Sequence, residues 1–179
     1  EPPTMPNHFD MSGMKDRIVD IRDDIKNLDK LVSVIEEFQP KVIFHMAAQA
    51  IVRESYENPR DTFVINSWGT INVLEAIRLT GSVKAAVFIT SDKCYRNKEW
   101  IWGYRENDPL GGGDPYSASK AMAEIAIEAY RDAYFPWNDR GEHAVAVASV
   151  RAGNVVGGGD WAKDRLLPDA IRALTEGRT

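Results

Sequence analysis

FITSDKCYRNKEWIWGYRENDPLGGGDPYSASK, from Phe88 to Lys120, is the stretch on which the fold turns. It opens inside a short apolar run, Ala85-Ala86-Val87-Phe88-Ile89, whose length and β-branched content suit a buried strand. Ser91-Asp92-Lys93 then emerges at the strand's end, where open α/β sheets bind their ligands. The stretch closes on Tyr116-Ser117-Ala118-Ser119-Lys120, the start of a helical pattern in which Met122, Ile125, Ala129 and Ala133 recur at spacings of three and four. Tyr116 and Lys120 therefore stand one turn apart on one face. A phenol, with a pKa of about 10, is a poor base at neutral pH. A nearby ammonium favours the phenolate, so such a pair can exchange a proton with a substrate hydroxyl. The intervening loop carries Trp100, Trp102, Tyr104 and Gly111-Gly112-Gly113, and loops of this length in compact domains are usually functional.

Working outward, Lys41 to Met46 (KVIFHM) reads as another buried strand, with His45 as a hydrogen-bonded core histidine. Ala47-Ala48-Gln49-Ala50 follows; its small side chains serve either close approach of a ligand to the backbone or tight packing alone. Leu28, Leu31, Val32, Ile35 and Phe38 form a helical stripe that stops before Pro40. A longer helix is predicted from Pro59 to Thr80 through Phe63, Val64, Trp68, Ile71, Leu74 and Ile77, with Gly81 as its stop. Asn66 within it either faces solvent or ties the helix to a neighbouring strand. Residues 1–16 read as a proline-rich, polar arm, and Arg17 to Ile21 (RIVDI) as a short strand ending near Asp20. The carboxylates of Asp20, Asp23 and Asp24 lack a second kind of ligand group and read as loop solvation, with no metal. Downstream, Ala144 to Val150 is a further buried strand, followed by Arg151, Asn154, Gly157-Gly158-Gly159, Asp160 and Trp161. Leu166, Ala170, Ile171 and Leu174 make a final short helix ending near Gly177, and His143 has no partner at metal-ligand spacing. Alternating strands and helices, with strands apolar on both faces, predict an α/β fold: a doubly wound parallel sheet covered by helices on both sides.

A chain of 179 residues, 44% hydrophobic and 27% charged, is long enough for one domain with a sizeable core. Its net charge of −5 argues against a general nucleic-acid partner, while leaving room for local basic pockets that hold a phosphate. Cys94 is the one cysteine, which rules out an internal disulfide and fits a reducing, cytoplasmic setting. No apolar run approaches the roughly 20 residues of a membrane span, so no membrane partner is expected.

Taken together, these motifs resemble the extended short-chain dehydrogenase/reductase family, and within it the nucleotide-sugar 4,6-dehydratases of the CDP-glucose branch. The likeness rests on SDKCY, NKEW, WGYREND, the glycine run and DPYSASK between Ser91 and Lys120, and on RAGNVVGGGDWAKDRLLPD from Arg151 to Asp169. It covers essentially the whole chain. The resemblance implies a Rossmann-like sheet carrying NAD, with Asp20 and Ile21 at the adenine. It sets Met46, Ala47, Ala48 and Gln49 beside the pyrophosphate and ribose, and Thr90, Tyr116 and Lys120 around the nicotinamide ribose. It implies a catalytic set of Ser91, Asp92, Lys93, Tyr116 and Lys120, and substrate contacts from Ser91, Asn154, Arg165 and Leu166. Many relatives carry Glu where Lys93 stands, so this lysine must act in its neutral form, its pKa lowered by burial or a nearby cation.

By the same resemblance the substrate is CDP-glucose, the product its 4-keto-6-deoxy derivative, and the setting deoxysugar and O-antigen-type polysaccharide biosynthesis. The active form is expected to be a homo-oligomer, dimer or tetramer, paired through the helices that include the Tyr116/Lys120 one. A glycine-rich strand-turn-helix is expected upstream of Glu1 and a small sugar-binding domain beyond Thr179. Residues 1–179 are accordingly expected to be a partial NAD-binding domain, incomplete at both ends, with a substrate segment at about 151–179. Two other readings stand beside it. Another sugar-nucleotide dehydratase or a 4-epimerase would need the Tyr/Lys pair but, for the epimerase, no Asp92-Lys93 elimination pair; a noncatalytic sugar-nucleotide binder would need neither.

Overall fold

The computed structural model describes residues 4–136, 138, 141 and 144–177, so His143 lies outside the described residues. Its helices, in chain order, are α1 (His8–Met11), α2 (Leu28–Phe38), α3 (Val52–Glu57), α4 (Pro59–Phe63), α5 (Gly69–Leu79), α6 (Pro115–Tyr134) and α7 (Leu166–Thr175). The strands are β1 (Val42–His45), β2 (Ala85–Ile89) and β3 (Ala146–Val150). Two compact units divide the chain: residues 23–153 hold the sheet and α2 to α6, while residues 1–22 and 154–179 hold α1 and α7.

The three strands are parallel, in the order β1-β2-β3, as the alternation of elements predicted. Their register aligns Ile43 with Ala86 and Val147, and His45 with Phe88 and Ser149. Successive side chains alternate between faces. The face bearing Ile43, Ala86, Phe88 and Val147 packs with Ile35 of α2, Val73, Leu74, Ala76 and Ile77 of α5, and Ile127 of α6 into one core. On the other face Val42, Phe44, Ala146, Ala148 and Val150 are exposed. The expectation of strands buried on both faces is therefore met on one face only by the described residues. Apolar content states which faces can be buried; it does not state what covers them.

Helix boundaries follow local chemistry. The Asn27 side chain caps α2 by accepting from Lys30 N at 3.2 Å, and Gln39, in the left-handed region at φ 47°, ends it before Pro40. The predicted long helix from Pro59 is α4 and α5 joined by a π-helical turn at Val64–Trp68. The wider turn shifts the helix face, bringing Asn66 and Ser67 inside and leaving Trp68 57% exposed. The helix stops at Thr80, which is extended and returns its hydroxyl to Ala76 O at 2.9 Å; Gly81 is not in the left-handed conformation expected of a glycine stop.

In the other unit the predicted strand at Arg17 to Ile21 does not form; these residues are exposed. A strand exists only where its backbone groups find a ladder, and three apolar residues among five cannot supply one by themselves. Asp20 instead pairs with Arg22 at 2.7 Å. Within residues 23–153, Asp23 and Asp24 shape the turn before α2: Asp23 accepts from Asp24 N at 2.7 Å and Asp24 from Lys26 N at 2.9 Å.

Candidate active site

Because the strands are parallel and in register, Met46–Gln49, Thr90–Lys93 and Arg151–Gly153 leave the sheet at one edge. Two further bonds, Thr90 N to Val150 O at 2.9 Å and Asp92 N to Ala152 O at 3.0 Å, carry the pairing past the strand ends. Ser91 is buried; its Oγ accepts from Lys93 N at 3.2 Å, capping the short 3-10 turn Asp92–Cys94, and donates to Asp92 Oδ1 at 3.2 Å. Asp92 and Lys93 themselves are exposed, so the burial invoked to make Lys93 neutral is not supplied by the described residues. Cys94 is fully buried, and that burial pushes its thiol up to about 11, which removes it as a nucleophile at neutral pH.

At the start of α6, Asp114 accepts from Ser117 N at 2.9 Å and from Ser117 Oγ at 2.6 Å, with Pro115 at the first helical position. Gly112 lies against that first turn. A Cβ at Gly112 would meet Ala118 N and Ser117 Cβ at 2.3 Å, so the absence of a side chain at Gly112 is what lets the loop pack on the helix that bears Tyr116.

The apolar recurrence that marks α6 as a helix lies on its outer face: Met122 and Ile125 are 49% and 55% exposed, and Ala129 and Ala133 are exposed with them. Buried instead are Ser119, Lys120, Ala123, Glu124 and Ile127, with Tyr116 half-buried one turn before Lys120. A polar inner face is tolerated because each group finds a partner. Lys120 Nζ donates to Ile89 O, at the end of β2, at 3.3 Å. Burial lowers the pKa of Lys120 and the carboxylate of Glu124 opposes that shift.

Glu124 was not singled out from sequence, although it continues the Tyr116/Lys120 spacing by one more turn. It accepts from the Thr90 hydroxyl, from Ser149 Oγ at 3.0 Å and from Arg151 Nη2 at 2.9 Å. The Glu124 and Arg151 side chains are only 4% and 17% exposed, and removing one partner of such a buried pair costs about 3–5 kcal/mol. Arg151 also donates from Nη1 to Glu106 O at 2.7 Å and lies 4.8 Å over the Tyr95 ring, whose other neighbour is Tyr104, stacked at 5.0 Å.

A second polar seam holds the end of β1. Asn66 does not face solvent: it accepts from Gln49 N at 2.8 Å and donates to Gln49 O at 3.0 Å and to Ser119 Oγ at 2.9 Å. Its amide thus ties the π turn to the segment after β1 and to α6. The Gln49 side chain bonds Thr62 Oγ1 and Ile51 O, both at 3.0 Å. His45 is the buried, hydrogen-bonded histidine expected, with Nε2 3.1 Å from Thr70 Oγ1. Burial first, and then the charge of Lys120, hold its pKa down at about 4.

Of the residues singled out from sequence, Met46, Ala47, Ala48, Gln49, Thr90, Ser91, Asp92, Lys93, Tyr116 and Lys120 lie in the unit of residues 23–153. Met46 and Ala47 are exposed and Ala48 is half-buried. Asp20, Ile21, Asn154, Arg165 and Leu166 lie in the other unit. There Asn154 and Leu166 are exposed, and Arg165 Nε stands 3.6 Å from Asp160 Oδ2. A cleft of about 1420 Å³ in the larger unit is lined by Asp92, Lys93, Tyr95, Tyr104 and Arg151, among others; Tyr116 and Lys120 do not line it.

A family model described as GDP-mannose 4,6 dehydratase matches residues 7–138. The chain is 51% identical over 172 residues, 96% of its length, to a CDP-glucose 4,6-dehydratase of Salmonella typhimurium, of which it spans 48%. It is similar in structure to a UDP-glucose 4-epimerase of Brucella ovis in complex with NAD, with a TM-score of 0.62 and 27% identity over 73% of this chain and 37% of that one. In fold it also resembles a dTDP-glucose 4,6-dehydratase of Streptomyces venezuelae, with a TM-score of 0.76 over 88% of this chain and 44% of that one. The parallel sheet, the strand-end cluster and the match over residues 7–138 agree: the chain belongs to the GDP-mannose 4,6 dehydratase family.

Proposed function

We propose that this chain forms the NAD-binding and catalytic part of a CDP-glucose 4,6-dehydratase, which converts CDP-glucose to CDP-4-keto-6-deoxyglucose and water. The observation that carries the reading is the pairing, at one sheet edge, of Ser91-Asp92-Lys93 with the α6 face that bears Tyr116 and Lys120. The likeness to the Salmonella enzyme supports the nucleotide and the sugar.

The residues present fit a dinucleotide. Among the described residues, Lys120 Nζ makes a single hydrogen bond, to Ile89 O, and an ammonium carries three donors. The remaining donors suit ribose hydroxyls, as does the hydroxyl of Tyr116. Met46, Ala47, Ala48 and Gln49, the last with its backbone N–H and carbonyl held by Asn66, suit the pyrophosphate and ribose, and Thr90 the nicotinamide end; Asp20 and Ile21 are assigned to the adenine by the family resemblance alone. When bound, NAD supplies the acceptor for the hydride of C4 and later the donor of hydride to C6.

Ser91 orients the 4-hydroxyl of the sugar while Tyr116 takes its proton, the Lys120 cation favouring the phenolate form. The resulting 4-ketone makes the C5 proton acidic. Lys93 removes that proton and returns it to C5 once hydride has reached C6, and Asp92 protonates the 6-hydroxyl, which leaves as water. Asn154, Arg165 and Leu166 supply contacts to the nucleotide sugar from a substrate segment at 151–179. The exposed Met122 and Ile125 on α6 support pairing of copies through this helix. No helix among the described residues is long and apolar enough to cross a membrane; the cytoplasm and deoxysugar biosynthesis are the setting that the family resemblance implies.

Lys93→Ala tests the reading in the full-length gene product that carries this sequence. The variant is expected to reduce bound NAD with CDP-glucose, seen by absorbance, yet to stall before water is lost, seen by product mass. Exchange of the C5 proton with deuterated solvent slows together with dehydration. Dehydration at the parent rate removes Lys93 from the reaction. A parent that interconverts epimers without losing water favours the 4-epimerase reading.

A further inference from the structure

Among the buried charged groups of the larger unit, Glu124 is the one that the proposed reaction leaves without a role. It sits on the inner face of α6, four residues after Lys120 and eight after Tyr116, and is 4% exposed. Its carboxylate reaches three separate parts of the sheet edge: the Thr90 hydroxyl beside Ser91, Ser149 near the end of β3, and Arg151 just beyond β3. Arg151 extends the same clamp to the long loop through Glu106 O and the Tyr95 ring. The backbone bonds between β2 and β3 fix these strands to each other, whereas Glu124 fixes both to the helix that carries the Tyr/Lys pair. Displacements of about 1 Å in such a constellation are enough to cost about 100-fold in rate.

The charge has a second consequence. Lys120 is buried, and Ile89 contributes a neutral carbonyl to it. From β1 it faces His45, which is neutral at pH 7. The acidic group acting on it is Glu124, whose field opposes the loss of its proton. Around Glu124 stand Arg151, which neutralises part of its charge, and the protonated Cys94 thiol.

We propose that Glu124 is a positioning residue of this site: its carboxylate locks the ends of β2 and β3 to α6 and sets a negative charge one helical turn from Lys120. The inference rests on the dehydratase reading for its kinetic arm only. In the full-length gene product, Glu124→Gln is expected to lower the rate of NAD reduction by CDP-glucose about 10- to 100-fold and to move the alkaline limb of its pH profile to lower pH. Arg151→Gln, which loosens the clamp but leaves the anion, is expected to lower the rate without moving that limb downward. A simple packing role would lower the rate in both variants and shift neither limb.

If Glu124→Gln fails to fold, the double variant Glu124→Gln/Arg151→Gln removes both charges and keeps hydrogen-bonding groups, and the same limb is read in it. A readout without turnover completes the test: the proton affinity of Lys120, followed by 13C NMR of its side chain, is expected to fall in Glu124→Gln. Unchanged Lys120 titration, or the parent's rate and profile in Glu124→Gln, overturns the inference. A parent that does not reduce NAD with CDP-glucose overturns the dehydratase reading alone, because the titration of Lys120 stands independently of it.

Discussion

Helices α5 and α6 pack against each other over the same sheet face, yet they bury opposite kinds of surface. The inner side of α5 carries Val73, Leu74, Ala76 and Ile77 into the core, with Leu74 and Ala76 fully buried. The inner side of α6 buries Ser119, Lys120 and Glu124, and its long apolar side chains Met122 and Ile125 point away from the core. The first helix holds the domain together by removing carbon from water. The second adds hydrogen bonds and one buried ion pair to the apolar contacts of Ala123 and Ile127, and keeps reactive groups at the sheet edge. Burial of charge is costly unless every group is paired, so a helix of the second kind marks a site.

The largest expected effect on stability falls on the apolar helix. Leu74→Ala leaves a cavity in the core and is expected to destabilise by about 2–5 kcal/mol, read as a lower urea midpoint. A cost below about 1 kcal/mol would show that α5 is not the packing element described.

Next in size is a pH effect at the seam between β1 and the α4–α5 helix. His45 titrates at about 4 in the fold against 6.5 in the unfolded chain, so between these values the unfolded chain binds the extra proton. Stability from this group is fully present above about pH 6.5 and is lost as pH falls toward about 4, to a total of about 3 kcal/mol. Urea midpoints of the parent and of His45→Gln, compared at pH 7 and pH 4.5, check this. The variant is expected to lose that part of the pH dependence, and identical slopes would show that His45 is not held neutral.

The smallest effect is expected on the outer face of α6. In dilute, unpaired chains Met122→Ser changes an exposed side chain and should alter stability by no more than about 0.5 kcal/mol. At concentrations where copies pair, a larger loss that falls away on dilution is expected, and its absence would remove this stripe from the pairing surface.

Parts of this arrangement were legible before the fold was seen. The strand at Ala85–Ile89, the reactive residues at its end, and the helix opening with Tyr116 and Lys120 follow from local spacing, because β-branched runs and caps such as Asp114-Pro115 act over a few residues. His45 was readable as a core residue because a histidine inside an apolar run must be buried and bonded. The stripe through Met122 and Ile125 marks α6 as a helix, but a helical period does not show which side meets the sheet, and this side faces away from it. The π turn at Val64–Trp68 was invisible for a related reason: it depends on Asn66 and Ser67 finding partners in Gln49 and Ser119. RIVDI reads as a strand by composition, yet a strand requires a neighbour.

What the sequence by itself determined is the order α2, β1, the α4–α5 helix, β2, α6, β3 and α7, the parallel sheet that such an order demands, and the identity of the groups at the strand ends. These depend on short-range propensity and on which side chains are chemically able to act. Only the tertiary structure decided that Lys120 rests on the last carbonyl of β2 and that Glu124 joins α6 to Thr90, Ser149 and Arg151. Glu124 and Thr90 are 34 residues apart, and Glu124 and Arg151 are 27. No local rule spans such distances; a buried charge selects its partner only when packing has removed water from around both.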